Sequence, residues 1–361
     1  MTSRSSDFAS VGTGEVDAVS SGRARHTIAA FLTKRLIAGA ATLLVASFVI
    51  FFAVNVLPGN VATAVLGKNS TPANTALLRR RLHLNRPFIV RYGDWLGDAL
   101  QGNLGQSAVA LAQAGVGEGV GSGTVQNAGV AQKIGTPFRN SVILAGITII
   151  LLIPLSLLLG CLAGVRAGRS ADYAISYTAL VLGAFPEFVL GTLLIFLFFT
   201  LLNLFPPIAL VGPGQTPLSE PNVLVLPVLT LLGVSLSFSA RQVRAGMAEV
   251  MRQDYVAMAR LNGLHERRVL WRYALRNALA PSVQVFAQTI QYLIGGIIIV
   301  ESVFAYPGIG TFLVDAVTAR DVPEVEAVAL ILAAIYILIN IAADLLVLLL
   351  VPKLRTGLAQ T

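Results

Sequence analysis

Apolar and polar positions fall along this chain in long blocks. Leu36–Leu57, preceded by Lys34-Arg35, is an apolar run of about 22 residues, long enough to cross a bilayer as a helix. A cleaved signal peptide has a shorter core and a small-residue cleavage motif, so 34–57 is expected to stay as a first span. Asn140–Val165 gives a second span; it contains Pro154, which neighbouring helices tolerate in a membrane bundle. The third run, 173–204, contains Phe185-Pro186-Glu187-Phe188, and runs at 223–240, 282–304 and 328–351 complete the set. The pattern predicts an all-α integral membrane protein with six transmembrane helices.

The polar blocks organise the rest. Residues 1–33, rich in Ser, Gly, Ala, Arg and Thr without an apolar period, are expected to be a disordered tail, and 356–361 a short C-terminal one. Residues 58–139 form a long polar segment between the first two spans, expected to be a small domain outside the membrane. Within it, 108–133 is dominated by Ala, Gly, Val and Gln and is expected to be a flexible insert. Its run Gly117–Gly123 resembles a nucleotide-binding glycine fingerprint only superficially, because no strand precedes it and no GxxxxGK[ST] occurs anywhere. The block 241–281 interrupts the apolar pattern with DYVAMARLNGLHERRVLWRYALRNALAP, divided by Gly263, a residue free to take the positive φ that ends one helix before the next. Before Gly263, Tyr255, Met258, Ala259 and Leu261 make a short apolar face. After it, Arg268, Arg272 and Arg276 recur every four residues, with Val269, Leu270, Tyr273 and Ala274 on the other side, as in an amphipathic helix. Pro281 then turns the chain back towards the bilayer.

Composition agrees with a membrane protein. The 361 residues are 55% hydrophobic and only 12% charged, with a mean hydropathy of +0.75; soluble chains carry roughly twice that charged fraction. The net charge of +8 does not point to nucleic acid, because the arginines flank apolar runs and do not cover a folded soluble face. They set orientation instead. Counting Lys and Arg, the tail through Arg35 has five, the turn at Arg166 and Arg169 two, Arg241–Arg276 eight and the C-terminus two, against none and one in the short loops opposite. Both ends are therefore expected in the cytoplasm; the eight basic residues of 58–139 do not count against this, since long translocated segments escape the rule. Cys161 lies in an apolar run without a disulfide or metal partner, as a packing residue. His26, His83 and His265 lie outside the spans, which disfavours an intramembrane hydrolase or metalloprotease. Carboxylates inside spans are costly and belong in a bundle interior or a wet cavity. Glu187 is thus either a translocation-path residue or a carboxylate near the interface. Asn340 and Asp344, four residues apart, share a helical face that either glues helices together or meets substrate. Glu187 and Asp344 would also suit an ion-coupled secondary transporter.

The polar block resembles the cytoplasmic coupling loop of ATP-binding-cassette importer permeases, most of all those of the dipeptide/oligopeptide/nickel branch. Asp254-Tyr255-Val256, Ala259-Arg260, Gly263-Leu264, Arg267-Arg268-Val269 and Ala274-Leu275-Arg276-Asn277-Ala278 carry the likeness; it departs at Ala257 and Leu261-Asn262. Further landmarks occur in the same order. Leu57-Pro58-Gly59 resembles the exit from the first span, and Leu77–Gly105, with Arg86-Pro87 and Tyr92, the block that follows it. Glu301-Ser302-Val303-Phe304, Pro307-Gly308-Ile309-Gly310, Arg320-Asp321-Val322-Pro323 and the Asn340/Asp344 pair complete the series, while the ending reads Val351-Pro352-Lys353-Leu354-Arg355. The resemblance implies a type I importer fold that binds no cofactor itself, with ATP and Mg on two separate ATPase subunits. By this likeness a second, related heterologous permease chain, an external solute-binding protein and membrane lipid would be its partners, and a bacterial or archaeal cytoplasmic membrane its location. It assigns ATPase coupling to Asp254, Tyr255, Ala259, Arg260, Gly263, Leu264, Arg268, Arg276 and Asn277. Translocation or helix packing falls to Pro186, Glu187, Glu301, Asn340 and Asp344. Docking of the binding protein falls to Arg86, Pro87, Tyr92, Pro307, Gly308, Arg320 and Asp321.

Overall fold

The computed structural model describes residues 13–56, 61–116, 129–212 and 214–350. Leu57-Pro58-Gly59, the run Gly117–Gly123, the ending Val351–Arg355, the tail 356–361 and residues 1–12 lie outside the described residues. Apart from one isolated bridge between Gln106 and Gly129, the regular structure described is helical. Helix α1 is Thr13–Val56, so the stretch expected to be a tail is helical from Thr13 onward. Four short helices follow: α2 (Val61–Leu66), α3 (Pro72–Arg81), α4 (Phe88–Leu100) and α5 (Ala108–Val116). The bundle continues with α6 (Val130–Val165), α7 (Ser170–Ala184), α8 (Glu187–Ile195) and α9 (Asn222–Val250). Then come α10 (Asp254–Leu261), α11 (Glu266–Arg268), α12 (Leu275–Val303), α13 (Ile309–Thr318) and α14 (Val322–Leu350).

Five of these helices are long and apolar enough to cross a membrane, and α7 with α8 makes a sixth candidate bent by 102°. The bend has a local cause. Proline disfavours helical backbone in the residue before it, and Phe185, ahead of Pro186, is extended with ψ 131. The bent pair nevertheless crosses from one end of the bundle to the other. Near its start, Asp172 is paired with Arg244, close to the end of α9 that leads to the arginine-rich block. Past its end, the Ala209 N–H donates to the Phe304 carbonyl at 2.7 Å, at the opposite end of α12. Counted as one pass, the pair gives six. Helices α1 and α14 run side by side, joined by Arg35 and Asp344 at one end and by Asn55 and Glu326 at the other.

Helix α9 is the hub. In its most apolar window 72% of residues are buried, against 11–33% for the other straight spans, and α6, α7, α8 and α12 all pack on it. The approach of α6 depends on two glycines. A Cβ at Gly160 would stand 2.6 Å from the Val243 Cβ and 2.8 Å from the Ala240 carbonyl oxygen; one at Gly164 would stand 2.7 Å from the Met247 Cβ. Small residues four apart let membrane helices meet backbone to backbone. One turn earlier, the Ser156 and Ser239 hydroxyls bond at 2.7 Å.

The segment between α1 and α6 is a helical cap. Leu66, Leu78, Leu111 and Ala112 bury its small core, while the rings of Phe88, Tyr92 and Trp95 of α4 meet Phe48 and Phe51 of α1 edge-on or tilted. The expected flexible insert, 108–133, is helical at both ends. Asp321 holds the start of α5 by accepting from the Ser107 hydroxyl at 2.5 Å and from the backbone N–H groups of Ala108 and Val109 at 3.0 and 3.1 Å. Four unpaired N–H groups at a helix start make a ready seat for a carboxylate. At the other end α6 already begins at Val130, with Val130 and Ile134 buried against Ile309 and Val328 and Lys133 paired with Glu324 at 2.7 Å.

Candidate functional site

The arginine-rich block folds as a bent lever. After α10 the Gly263 N–H donates to the Arg260 carbonyl at 2.9 Å and the Leu264 N–H to the Ala259 carbonyl at 3.3 Å. Gly263 sits at φ +72 with nothing within 4 Å of where a Cβ would stand, so only its backbone freedom is needed there. Arg260 and Glu266 bridge the turn, with contacts at 2.6 and 3.1 Å. This partnership holds the Glu266 carboxyl below its ordinary range and raises Arg260, so the bridge weakens only as pH falls through that lowered carboxylate value. Beyond it, α11 runs into a π-helical turn, Val269–Ala274, and on into α12.

The lever has two faces. Inward, Val256 and Ala259 of α10 are buried against Val269, Met251, Leu264 and Tyr273, and Ala274 and Ala278 pack on Met247 of α9. Outward, Tyr255 (40%), Met258 (60%) and Leu261 (81%) are exposed. Of the apolar face expected before Gly263, Ala259 therefore belongs to the inner side. Asn277 ties the two halves, donating to the Tyr255 hydroxyl at 3.0 Å and to the Tyr273 carbonyl at 2.8 Å. Asp254, Arg268, Arg272 and Arg276 are exposed, and Leu264 is half-buried. A rigid element whose inner side is welded to two spans and whose outer side is bare and apolar can receive a push and pass it on.

The intramembrane polar residues divide by task. Glu187, at the α7–α8 bend beside exposed Pro186, accepts from the Tyr292 hydroxyl of α12. Asn340 accepts from the Gln291 amide at 2.6 Å, and Asp344 pairs with Arg35 at 3.1 Å, so the two reach different helices from one face of α14. Both carboxylates weighed for ion coupling therefore have a partner. Glu301 is fully buried. Its carboxylate accepts from the Ser141 hydroxyl at 2.5 Å and the Gly310 N–H at 2.7 Å, and Ser141 in turn accepts from the Ile309 N–H at 2.8 Å. The Asn140 amide donates to the Pro307 carbonyl at 2.8 Å, and the buried Tyr306 hydroxyl donates to the Asn140 carbonyl at 2.7 Å. Burial pushes the Tyr306 phenol above its ordinary value.

The residues named for docking a binding protein do not form one surface. Tyr92 lies 2.9 Å from the Ser47 hydroxyl of α1, Asp321 is buried under α5, and Gly308 is wrapped on Glu301. Arg86, paired with Asp94 at 2.6 Å beside the exposed Pro87 that opens α4, and Arg320, at φ 57, are exposed. Sequence reasoning missed Arg91, which donates to Asn55 and is lowered by burial, with Glu326 opposing. It also missed Asp172 with Arg244. The signal for the second pair was a lone aspartate opening an apolar run opposite an arginine ending one.

Comparison with known proteins agrees with this architecture. The family described as "Binding-protein-dependent transport system inner membrane component" matches residues 156–356, and its N-terminal companion, "Binding-prot-dependent transport system membrane comp, N-term", matches 28–137. A probable peptide ABC transporter permease protein of Sinorhizobium fredii is 30% identical over 330 residues, covering 90% of this chain and 99% of that protein. A metal-staphylopine import system permease protein of Staphylococcus aureus is 30% identical over 331 residues, covering 91% and 98%. An oligopeptide transport system permease protein of Bacillus subtilis is 30% identical over 334 residues, covering 91% and 100%. The chain belongs to the family of binding-protein-dependent inner-membrane transport components. It is a multi-pass membrane permease, a non-catalytic transport subunit that works with ATPase and solute-binding partners.

Proposed function

We propose that this chain is one half of the channel of an ATP-driven importer for peptides or related small solutes. A second, related permease chain would form the other half, with two ATPase subunits on the cytoplasmic face and a solute-binding protein outside. ATP and Mg belong to the ATPases, and the chain itself binds no cofactor. The observation that carries the reading is the bare apolar row Tyr255, Met258 and Leu261 on a helix whose other side packs on the Val269–Ala274 turn, which runs on into α12 and whose Ala274 packs on Met247 of α9. Exposed apolar patches rimmed by charge mark protein contacts; here Asp254, Arg260, Arg268 and Arg276 supply the rim. Closure of the ATPases on bound nucleotide would push this row. Ala259, Leu264 and Asn277 would carry the displacement to the bundle, turning it from inward-open to outward-open. The lysine and arginine count supports both termini in the cytoplasm of a bacterial or archaeal cell. Arg86 and Arg320 remain as exposed contacts for the binding protein.

Gly263 tests the lever. A β-branched residue at positive φ is an outlier, costing about 1–2 kcal/mol, whereas asparagine tolerates that region. Gly263→Val should therefore insert normally but lose substrate-stimulated ATP hydrolysis in the reconstituted complex, while Gly263→Asn keeps most of it. Unchanged stimulation in Gly263→Val would refute the lever.

A further inference from the structure

At the end of the bundle that carries the lever, α7 and α9 touch at two levels and part between them. At the outer level Asp172 pairs with Arg244 and accepts from the Gly168 N–H at 2.9 Å. Deeper in, a Cβ at Gly183 would stand 2.6 Å from the Ser237 Oγ. Between these contacts the facing side chains are short: Ala174, Thr178 and Ala179 on α7, Ser237 and Ala240 on α9. They leave a largely apolar cavity of about 240 Å³, which Leu159 of α6 also lines. The Ser237 hydroxyl is already spent on the Val234 carbonyl at 2.6 Å. A dry apolar hole does not recruit water, and close packing is the rule in protein interiors. Ala174 and Thr178 are exposed, as are Tyr177, Leu180 and Val181 beside them, so the cavity opens on the outer side of α7.

The rim of the cavity is cationic. Arg241 lies back along α9, its Nε donating to the Ser237 carbonyl at 2.9 Å, which brings the guanidinium to the cavity's edge. That bond uses one of its five N–H donors. The turn carrying exposed Arg166 and Arg169 is pinned to α9 through Asp172 and Arg244, three residues from Arg241. Arg244 has its carboxylate; among the described residues Arg166, Arg169 and Arg241 have none. Exposed Tyr173 and Tyr177, stacked with centroids 6.2 Å apart, mark this level as the membrane–water interface. We propose that the cavity seats an acyl chain of one anionic phospholipid, whose phosphate lies on Arg241 with Arg166 and Arg169 beside it. A guanidinium fork matches phosphate geometry, and basic pockets between membrane helices are where anionic headgroups settle. An unpaired cation at this depth is costly, and the lipid phosphate relieves it. The seat needs a bilayer and none of the importer's partners.

The test uses the purified permease complex in phosphatidylcholine nanodiscs, with Cys161→Ala as background and a bimane dye on Val181→Cys, beside the cavity. Phosphatidylglycerol or phosphatidylcholine carrying a nitroxide on its chain replaces a rising share of the lipid and quenches the dye on contact. Half-quenching should need at least about tenfold less phosphatidylglycerol than phosphatidylcholine. Equal requirements, as when a protein helix covers the cavity, would overturn the seat. Arg241→Gln should remove about fivefold of the preference and Arg241→Lys should keep most of it; a preference unchanged in Arg241→Gln would overturn the role of Arg241. Ala174→Phe fills the cavity from its open side and leaves every arginine in place. It should raise the phosphatidylglycerol needed by about fivefold, and no change would overturn the place of the chain. Glycerol 1-phosphate in large excess should leave the quenching as it was; relief of quenching would show a site for free phosphate instead of a lipid. No nucleotide, solute or binding protein enters these readings, so a failed seat leaves the importer reading standing, and lost ATPase coupling leaves the seat.

Discussion

Alanine at Gly160 and Gly164 together should cost the permease its folded bundle, while alanine at Gly146 on the same helix should leave it unchanged. All three exchanges add one methyl to α6. At Gly160 that methyl would stand 2.6 Å from the Val243 Cβ, and at Gly164 it would stand 2.9 Å from the Arg244 carbonyl oxygen. At Gly146, which borders an apolar cavity of about 270 Å³, nothing lies within 4 Å. Optimal carbon–carbon separation is about 3.5–4.0 Å, so α6 and α9 must move apart by roughly an ångström along that helical turn. Overpacking of this kind costs about 1–3 kcal/mol per site, and neighbouring sites on one interface do not add simply. The damage spreads, because the same separation pulls the Ser156 and Ser239 hydroxyls apart and strains the pairing of Asp172 with Arg244. The apparent melting temperature of the complex in mild detergent reads the effect. A double variant melting with Gly146→Ala would show that α6 and α9 do not depend on close approach.

How much of this was legible in the sequence depends on the range of each interaction. The spans were legible because twenty apolar residues in a row answer only to the bilayer. Gly263 was legible because a positive φ is a local requirement, and Pro186 announced a break, though not one of 102°. The tasks of buried polar residues were not legible, because they are set by partners far along the chain. In the sequence Asp321 reads as a docking residue, whereas in the fold Ser107, 214 positions earlier, donates to it. The same contact explains why the expected insert opens as a helix: Ser107 is a good helix-starting residue, a signal hidden by the Ala/Gly-rich composition after it. Arg268, Arg272 and Arg276 stayed exposed as their spacing required, even though the turn between them is π-helical rather than regular. Leu270 and Tyr273 also pack inward, because sidedness survives a local change of pitch.

Glu301 and Gly308 carry the other large expected effect, and they separate a packing role from a docking role for the Pro307–Gly310 turn. A Cβ at Gly308 would lie 2.0 Å from one Glu301 carboxylate oxygen and 2.3 Å from the other, and a Cβ at Gly310 would lie 2.5 Å from the Ile298 Cα. Gly308 itself has ordinary extended backbone, φ −106 and ψ −176, so space alone excludes a side chain there. The carboxylate cannot swing aside. It is fully buried and fixed by Ser141 and the Gly310 N–H, and each of these two hydrogen bonds to a carboxylate contributes about 1.5–3 kcal/mol. Together they are a large share of the roughly 5–15 kcal/mol by which a folded domain is stable. Gly308→Ala should therefore lower the melting temperature of the complex at least as far as Glu301→Ala, which strands the same donors. Glu301→Gln keeps the shape and one acceptor oxygen, and should fall between them and the wild type, at about 1–3 kcal/mol. If the turn served only to meet a binding protein, Gly308→Ala would melt like the wild type and lose only affinity for that partner. The clasp of Glu301 on Ser141, Ile309 and Gly310 requires the opposite order, with stability lost first and binding-protein affinity lost only through it.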